Sequence, residues 1–201
     1  GFDEGADVKE LLDQAEQAIF GISQEHLHQN FIPIKTALTE SFDRLEELHK
    51  KSGSLRGVPS GFKEIDDKLA GFQDSNLIVL ASRPGQGKTS LALNIAQHVA
   101  VEAKRPVGFF SLEMSKEELV DRLLVSQANI DAWRLKTANL RDDDYSKLSE
   151  AMGVLADSPI YIDDTPGISI LEMRTKARRL QMEHGVKFII VDYLQLATGG
   201  T

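Results

Sequence analysis

Four short apolar runs, at 77–81, 107–112, 160–163 and 187–192, alternate with stretches whose apolar residues recur at helical spacing. Runs this apolar offer no polar face to water. They belong in a sheet covered on both sides, and strand–helix alternation makes that sheet parallel. The expected fold class is therefore α/β, a parallel sheet with flanking helices. One helix is expected over 88–103, with Leu91, Ile95 and Val99 on one face. Ser115 and Glu118 have the spacing of a capping box, so a helix should start there and run to about Ala128. Apolar spacing gives a further helix over 142–155. A second capping box, Ser169 with Glu172, opens a helix to about His184.

The front of the chain has a different pattern. Residues 5–20 place Val8, Leu11, Leu12, Ala15, Ala18 and Ile19 at helical spacing, and the polar stretch 21–33 reads as a connector. A second helix, 34–50, carries an apolar stripe of Ile34, Leu38, Phe42, Leu45 and Leu48. Glu40, Asp43, Arg44, Glu46 and Glu47 charge its other face. The sequence SGSLRGVPSG that follows is a linker and a domain boundary.

Composition excludes several classes. The chain has 201 residues and a net charge of −8, which gives no overall electrostatic bias toward nucleic acid. It has no cysteine, so disulfides and thiolate chemistry are ruled out and a cytoplasmic setting fits. No apolar run approaches membrane length, and no signal peptide precedes the first acidic helix. A start at Gly1 and a stop just after a strand-like run read as a fragment or a processed chain.

The first apolar run leads directly into the turn SRPGQGKTS, residues 82–90, and then into a helix. Small residues let backbone N–H groups turn inward around an anion, and the helix N-terminus adds partial positive charge. The strict phosphate-loop pattern is G-x-x-x-x-G-K-[ST]. Here Ser82 stands at its first position, while Gly87, Lys88 and Thr89 match and Gly85 is an additional glycine. The candidate nucleotide-binding residues are Ser82, Arg83, Pro84, Gly85, Gln86, Gly87, Lys88, Thr89 and Ser90. Lys88 would reach the β- and γ-phosphates of ATP, and Thr89 would ligate Mg²⁺. The competing reading is an ordinary turn with a solvated lysine.

A phosphate loop needs a carboxylate beside Mg²⁺ and a group to activate water. Asp192 closes an apolar strand and is the candidate second metal residue. Glu113 follows the strand at 107–112 and is the candidate catalytic base, with Lys88 as its catalytic partner. Weaker candidates are Arg83 as a phosphate contact, Gln195 as a nucleotide sensor, and Asp163 with Asp164 as a second metal site or a loop cap. The run Arg174, Lys176, Arg178, Arg179 reads as a solvated face. His26 and His28 lack further ligands at metal-binding spacing. Trp133 lacks the aromatic neighbours of a base-stacking platform.

The segments ASRPGQGKTSLALNIA, FFSLEMS and IIVDYLQL, in this order and spacing, resemble the ATPase domain of DnaB-type replicative DNA helicases. The resemblance implies a RecA-like P-loop fold, ATP and Mg²⁺ as cofactors, and a hexameric ring. It implies that Lys88 and Thr89 are nucleotide and Mg²⁺ residues, Glu113 the catalytic glutamate and Asp192 the supporting acid. It makes 1–20 the end of a helical amino-terminal domain and 21–57 a linker whose helix 34–50 docks on a neighbouring subunit. Residues 58–201 become the first part of the ATPase domain. DNA would be contacted mostly by segments beyond this chain, and a helicase loader and a primase are partners the family admits. A RecA-like sheet normally inserts a later strand between the phosphate-loop strand and the Asp192 strand, so a gap is expected there. Two rivals remain: a recombinase-type RecA-like ATPase, and a non-catalytic assembly module docking through Ile34 to Leu48.

Overall fold

The computed structural model describes residues 32–50 and 55–198. The chain divides into two units, Gly1–Ser54 and Leu55–Thr201. In the first, the described element is helix α1, Ile34–Lys50. Pro33 stands before it, and its carbonyl accepts from the amides of Thr36 and Ala37. A proline is tolerated there because it precedes the intrahelical bonds. Ile34, Leu38, Phe42 and Leu45 are all more than half exposed. The expectations for 1–20, for His26 and His28, and for the side chain of Leu48 fall outside the described residues.

The second unit is built on a parallel three-stranded sheet in the order β2–β1–β3. Its strands are β1 (Val107–Ser111), β2 (Ile160–Asp163) and β3 (Phe188–Asp192). Successive side chains on a strand point to opposite faces. On β1, Val107 and Phe109 join one apolar cluster and Phe110 another. The first cluster packs against α3 (Lys88–Gln97) and α4 (Lys116–Ala128), through Leu93, Ala96, Leu119 and Leu123. The second packs against Ile168 and Met173, at the start of α7 (Ile170–His184). Phe109 and Phe110 are each 1% exposed, and burying such a ring contributes about 1.5–3 kcal/mol. Gly108 lies between them on the α7 face. A Cβ there would meet Leu180 Cδ1 at 3.3 Å, so the missing side chain lets α7 approach the sheet.

Both capping boxes form at their N-caps: Ser115 Oγ accepts from Glu118 N and Ser169 Oγ from Glu172 N. Helix α6 spans Asp142–Ala156 and packs on α4. The expected helix 88–103 is α3 continued by one π-helical turn, His98–Glu102. Two short helices have no counterpart in the sequence reading, α2 (Lys63–Leu69) and α5 (Ala132–Lys136). The buried Asp66 carboxylate of α2 accepts from Ser60 N at 2.8 Å, which folds the 58–72 segment onto itself. There Val58 and Phe72 form an antiparallel bridge, and the Phe72 ring stacks on Phe188 of β3 at 5.2 Å.

One expectation fails. Residues 77–81 form no strand and are not buried; Leu77 is 90% exposed and Val79 79%. A strand exists only through its neighbours, since an isolated extended segment leaves its backbone groups unpaired. β3 lies at the margin of the sheet, and 77–81 shares no ladder bond with it. The gap expected between these two segments is present, and it explains why the run is unpaired.

Candidate functional site

The 82–90 turn is held by its own backbone. Gln86 N donates to Arg83 O, and Ser82 Oγ to Arg83 O. Gly85 and Gly87 have φ of 76° and 84°, a left-handed conformation that other residues adopt only with strain. Gly87 is also the N-cap of α3, and its carbonyl accepts the first helical bond from Leu91 N at 2.9 Å. The amides of the first helical turn have no acceptor within the helix, so this end of α3 suits an anion. Ser82 to Gly87 are exposed.

Lys88 and Thr89 lead from that turn to β3. Lys88 Nζ forms an ion pair with Asp192 Oδ1, and Thr89 Oγ1 donates to Asp192 Oδ2 at 2.5 Å. The Asp192 side chain is 6% exposed and that of Lys88 25%. A buried carboxylate needs compensation on both oxygens, and these two residues provide it. The Lys88 ammonium also lies 4.3 Å from the centroid of the Tyr193 ring. The Thr89 hydroxyl and the Asp192 carboxylate are hard oxygen donors, the kind Mg²⁺ takes. The structure brings together three of the residues singled out by sequence and adds Tyr193. Its only signal in the sequence was its place beside Asp192.

Glu113 is positioned from β1. Ser111 pairs in register with Asp192, and Leu112 N donates to Asp192 O at 2.7 Å, so Glu113 lies at the same carboxyl edge of the sheet. It is exposed and makes no ion pair among the described residues. Arg83 is likewise exposed. Gln195 lies on a short 3₁₀ turn, Leu194–Leu196, and is exposed.

Asp163 and Asp164 have structural partners. Asp164 Oδ2 accepts from Lys116 N at 3.0 Å, at the start of α4. Asp163 pairs with Lys176 Nζ at 2.8 Å and accepts from Thr165 N at 2.9 Å. Burial pushes the Asp163 carboxyl up, but the Lys176 and Thr165 hydrogen bonds and the lysine charge outweigh it and hold it below its usual value. The Asp163 hydrogen bond raises Lys176 in turn, against its own partial burial. Lys176 therefore departs from the expected solvated face, and α7 uses it to grip the end of β2. Arg174, Arg178 and Arg179 are exposed, as expected. Among the described residues no group of three or more His, Cys, Asp or Glu could hold a metal ion. No described helix is long and apolar enough to cross a membrane.

Comparison with known proteins places this geometry. A family model described as DnaB-like helicase C terminal domain matches residues 57–201. Replicative DNA helicase DnaC of Bacillus subtilis (strain 168) is 47% identical over 199 residues, which cover 99% of this chain and 44% of that protein. Replicative DNA helicase DnaB of Geobacillus stearothermophilus is 45% identical over 199 residues, with the same coverage of 99% and 44%. Among solved structures, an isolated ATPase domain matches with a TM-score of 0.76 and 34% identity, covering 84% of this chain and 60% of that one. A DnaB-like replicative helicase, solved together with its interactions with primase, matches with a TM-score of 0.74 and 30% identity, covering 96% and 48%. The fold is RecA-like. The chain spans less than half the length of these curated relatives.

Proposed function

Because the chain belongs to the DnaB-like helicase C-terminal domain family, we propose that it supplies the nucleotide-binding part of an ATP-driven replicative DNA helicase, working in the cytoplasm as a hexameric ring. The observation that carries this reading is the convergence of Lys88, Thr89 and Asp192, from two elements about a hundred residues apart, at the carboxyl edge of a parallel sheet. In such sheets ligands bind at that edge.

In this reading residues 82–90 surround the phosphates of ATP with backbone amides, and Lys88 contacts the β- and γ-phosphates. Thr89 and Asp192 hold Mg²⁺, which neutralises charge on the transferred phosphoryl group. Glu113 takes the proton of the attacking water. Residues 1–20 close an amino-terminal domain, 21–57 form the linker with its docking helix, and 58–201 begin the ATPase domain. DNA is contacted mostly by residues outside this chain, and a loader and primase are further partners. One of the solved relatives is described with primase interactions, which supports the last point.

The test is nucleotide binding by the full-length protein. Lys88→Ala removes a charge-assisted contact and should weaken ATP binding by about tenfold to 150-fold. Calorimetric titration measures it, and unchanged affinity rejects the assignment. Strand displacement by the same full-length protein separates a helicase from a strand-exchange ATPase.

A further inference from the structure

Asp192 holds both side chains that the proposed nucleotide site needs. Oδ1 takes the Lys88 ammonium and Oδ2 the Thr89 hydroxyl, and the Tyr193 ring faces the same ammonium at 4.3 Å. The carboxylate is 6% exposed, so water cannot readily replace a partner that leaves. A nucleotide phosphate recruiting Lys88 must therefore draw it from two attractions and strand a buried carboxylate. A divalent cation at Thr89 and Asp192 removes that penalty, because its charge replaces that of Lys88.

We propose that Asp192 and Tyr193 compete with the nucleotide for Lys88, so that divalent-cation binding and nucleotide binding are coupled through these residues. Tyr193 is then a positioning residue for Lys88. The inference rests on the nucleotide site proposed above. It goes beyond that site by assigning a role to Tyr193 and a second role to Asp192. Two sites coupled in this way must affect each other reciprocally.

The experiment uses the full-length protein and ADP, titrated calorimetrically in EDTA and in Mg²⁺. Asp192→Asn keeps the shape and removes the ion pair. It should tighten ADP binding in EDTA by about tenfold or more, and shrink the gain on adding Mg²⁺. Tyr193→Leu changes no charge and should tighten binding in EDTA by about two- to fivefold. Tyr193→Phe keeps the ring face and should match wild type. Unchanged or weaker ADP binding in EDTA by Asp192→Asn overturns the proposal. Tightening in Asp192→Asn with none in Tyr193→Leu reduces the effect to charge repulsion and also overturns it. Should Asp192→Asn fail to fold, as judged by circular dichroism, the two Tyr193 variants decide alone. If wild type binds no ADP even with Mg²⁺, the nucleotide reading itself is wrong and the competition falls with it.

Discussion

At the scale of single residues, the candidate site separates charge placement from water activation. Lys88, Thr89 and Asp192 were legible in the sequence because a phosphate loop requires fixed residue types at fixed spacing. Tyr193 was not legible, because a ring face toward an ammonium is a property of three-dimensional placement. Lys176 was misread for a related reason: helical spacing put it beside Arg174 and Arg178 on a charged stretch, and only the end of β2 shows why it turns inward. Glu113 is exposed at the sheet edge and holds no ion pair among the described residues, so its substitution should disturb folding little. Glu113→Gln preserves size and removes the proton acceptor. In the full-length protein it should leave ATP affinity near wild type and slow hydrolysis by about 10²–10⁴. Steady-state phosphate release alongside equilibrium ATP binding checks both halves. Normal turnover would require a different base.

At the scale of elements, sequence patterns located what local chemistry determines and missed what pairing determines. β1, β2, β3 and the helices opened by Ser115 and Ser169 appear where apolar runs and capping boxes put them. Helices α2 and α5 have seven and five residues, too few turns for a periodic signal. The 77–81 run has strand composition without a strand partner. Between elements, the Asp163–Lys176 pair ties the end of β2 to α7. The folded carboxyl sits below its usual value, so its contribution is fully present above the unfolded pKa and is lost as pH falls through the folded one. Asp163→Asn should therefore destabilise the fold by about 1 kcal/mol at neutral pH, a figure kept small because Lys176 is 34% exposed. The gap between variant and wild type should close as pH drops below the ordinary carboxylate range. Urea unfolding at a series of pH values from neutral to acid measures it. A gap that stays constant would mean that Asp163 acts through its neutral hydrogen bonds alone.

At the scale of the whole molecule, the open question is what covers α1. Ile34, Leu38, Phe42 and Leu45 fall on one stripe at spacings of three and four, and each is 54–74% exposed. Full burial of such a side chain contributes about 1.5–3 kcal/mol, so a stripe of four is a large unused driving force for association. The charged face, with Glu40, Asp43 and Glu46, keeps the helix oriented, because only the apolar stripe gains by leaving water. An amphipathic helix laid in a groove of another copy is a common recognition mode, and it agrees with the ring assembly proposed here. Replacing both Phe42 and Leu45 by Asp puts two carboxylates at the centre of the stripe, where burial without partners is strongly unfavourable. The double variant of the full-length protein should lose its rings while each subunit still folds and binds ATP. The ATP site draws on residues 82–90, 113 and 192, none of them on α1. Sedimentation velocity with and without nucleotide reads the assembly state, and a titration on the same sample reads ATP binding. Rings that survive both substitutions would mean that the stripe packs within its own chain and that the ring is held together by other surfaces.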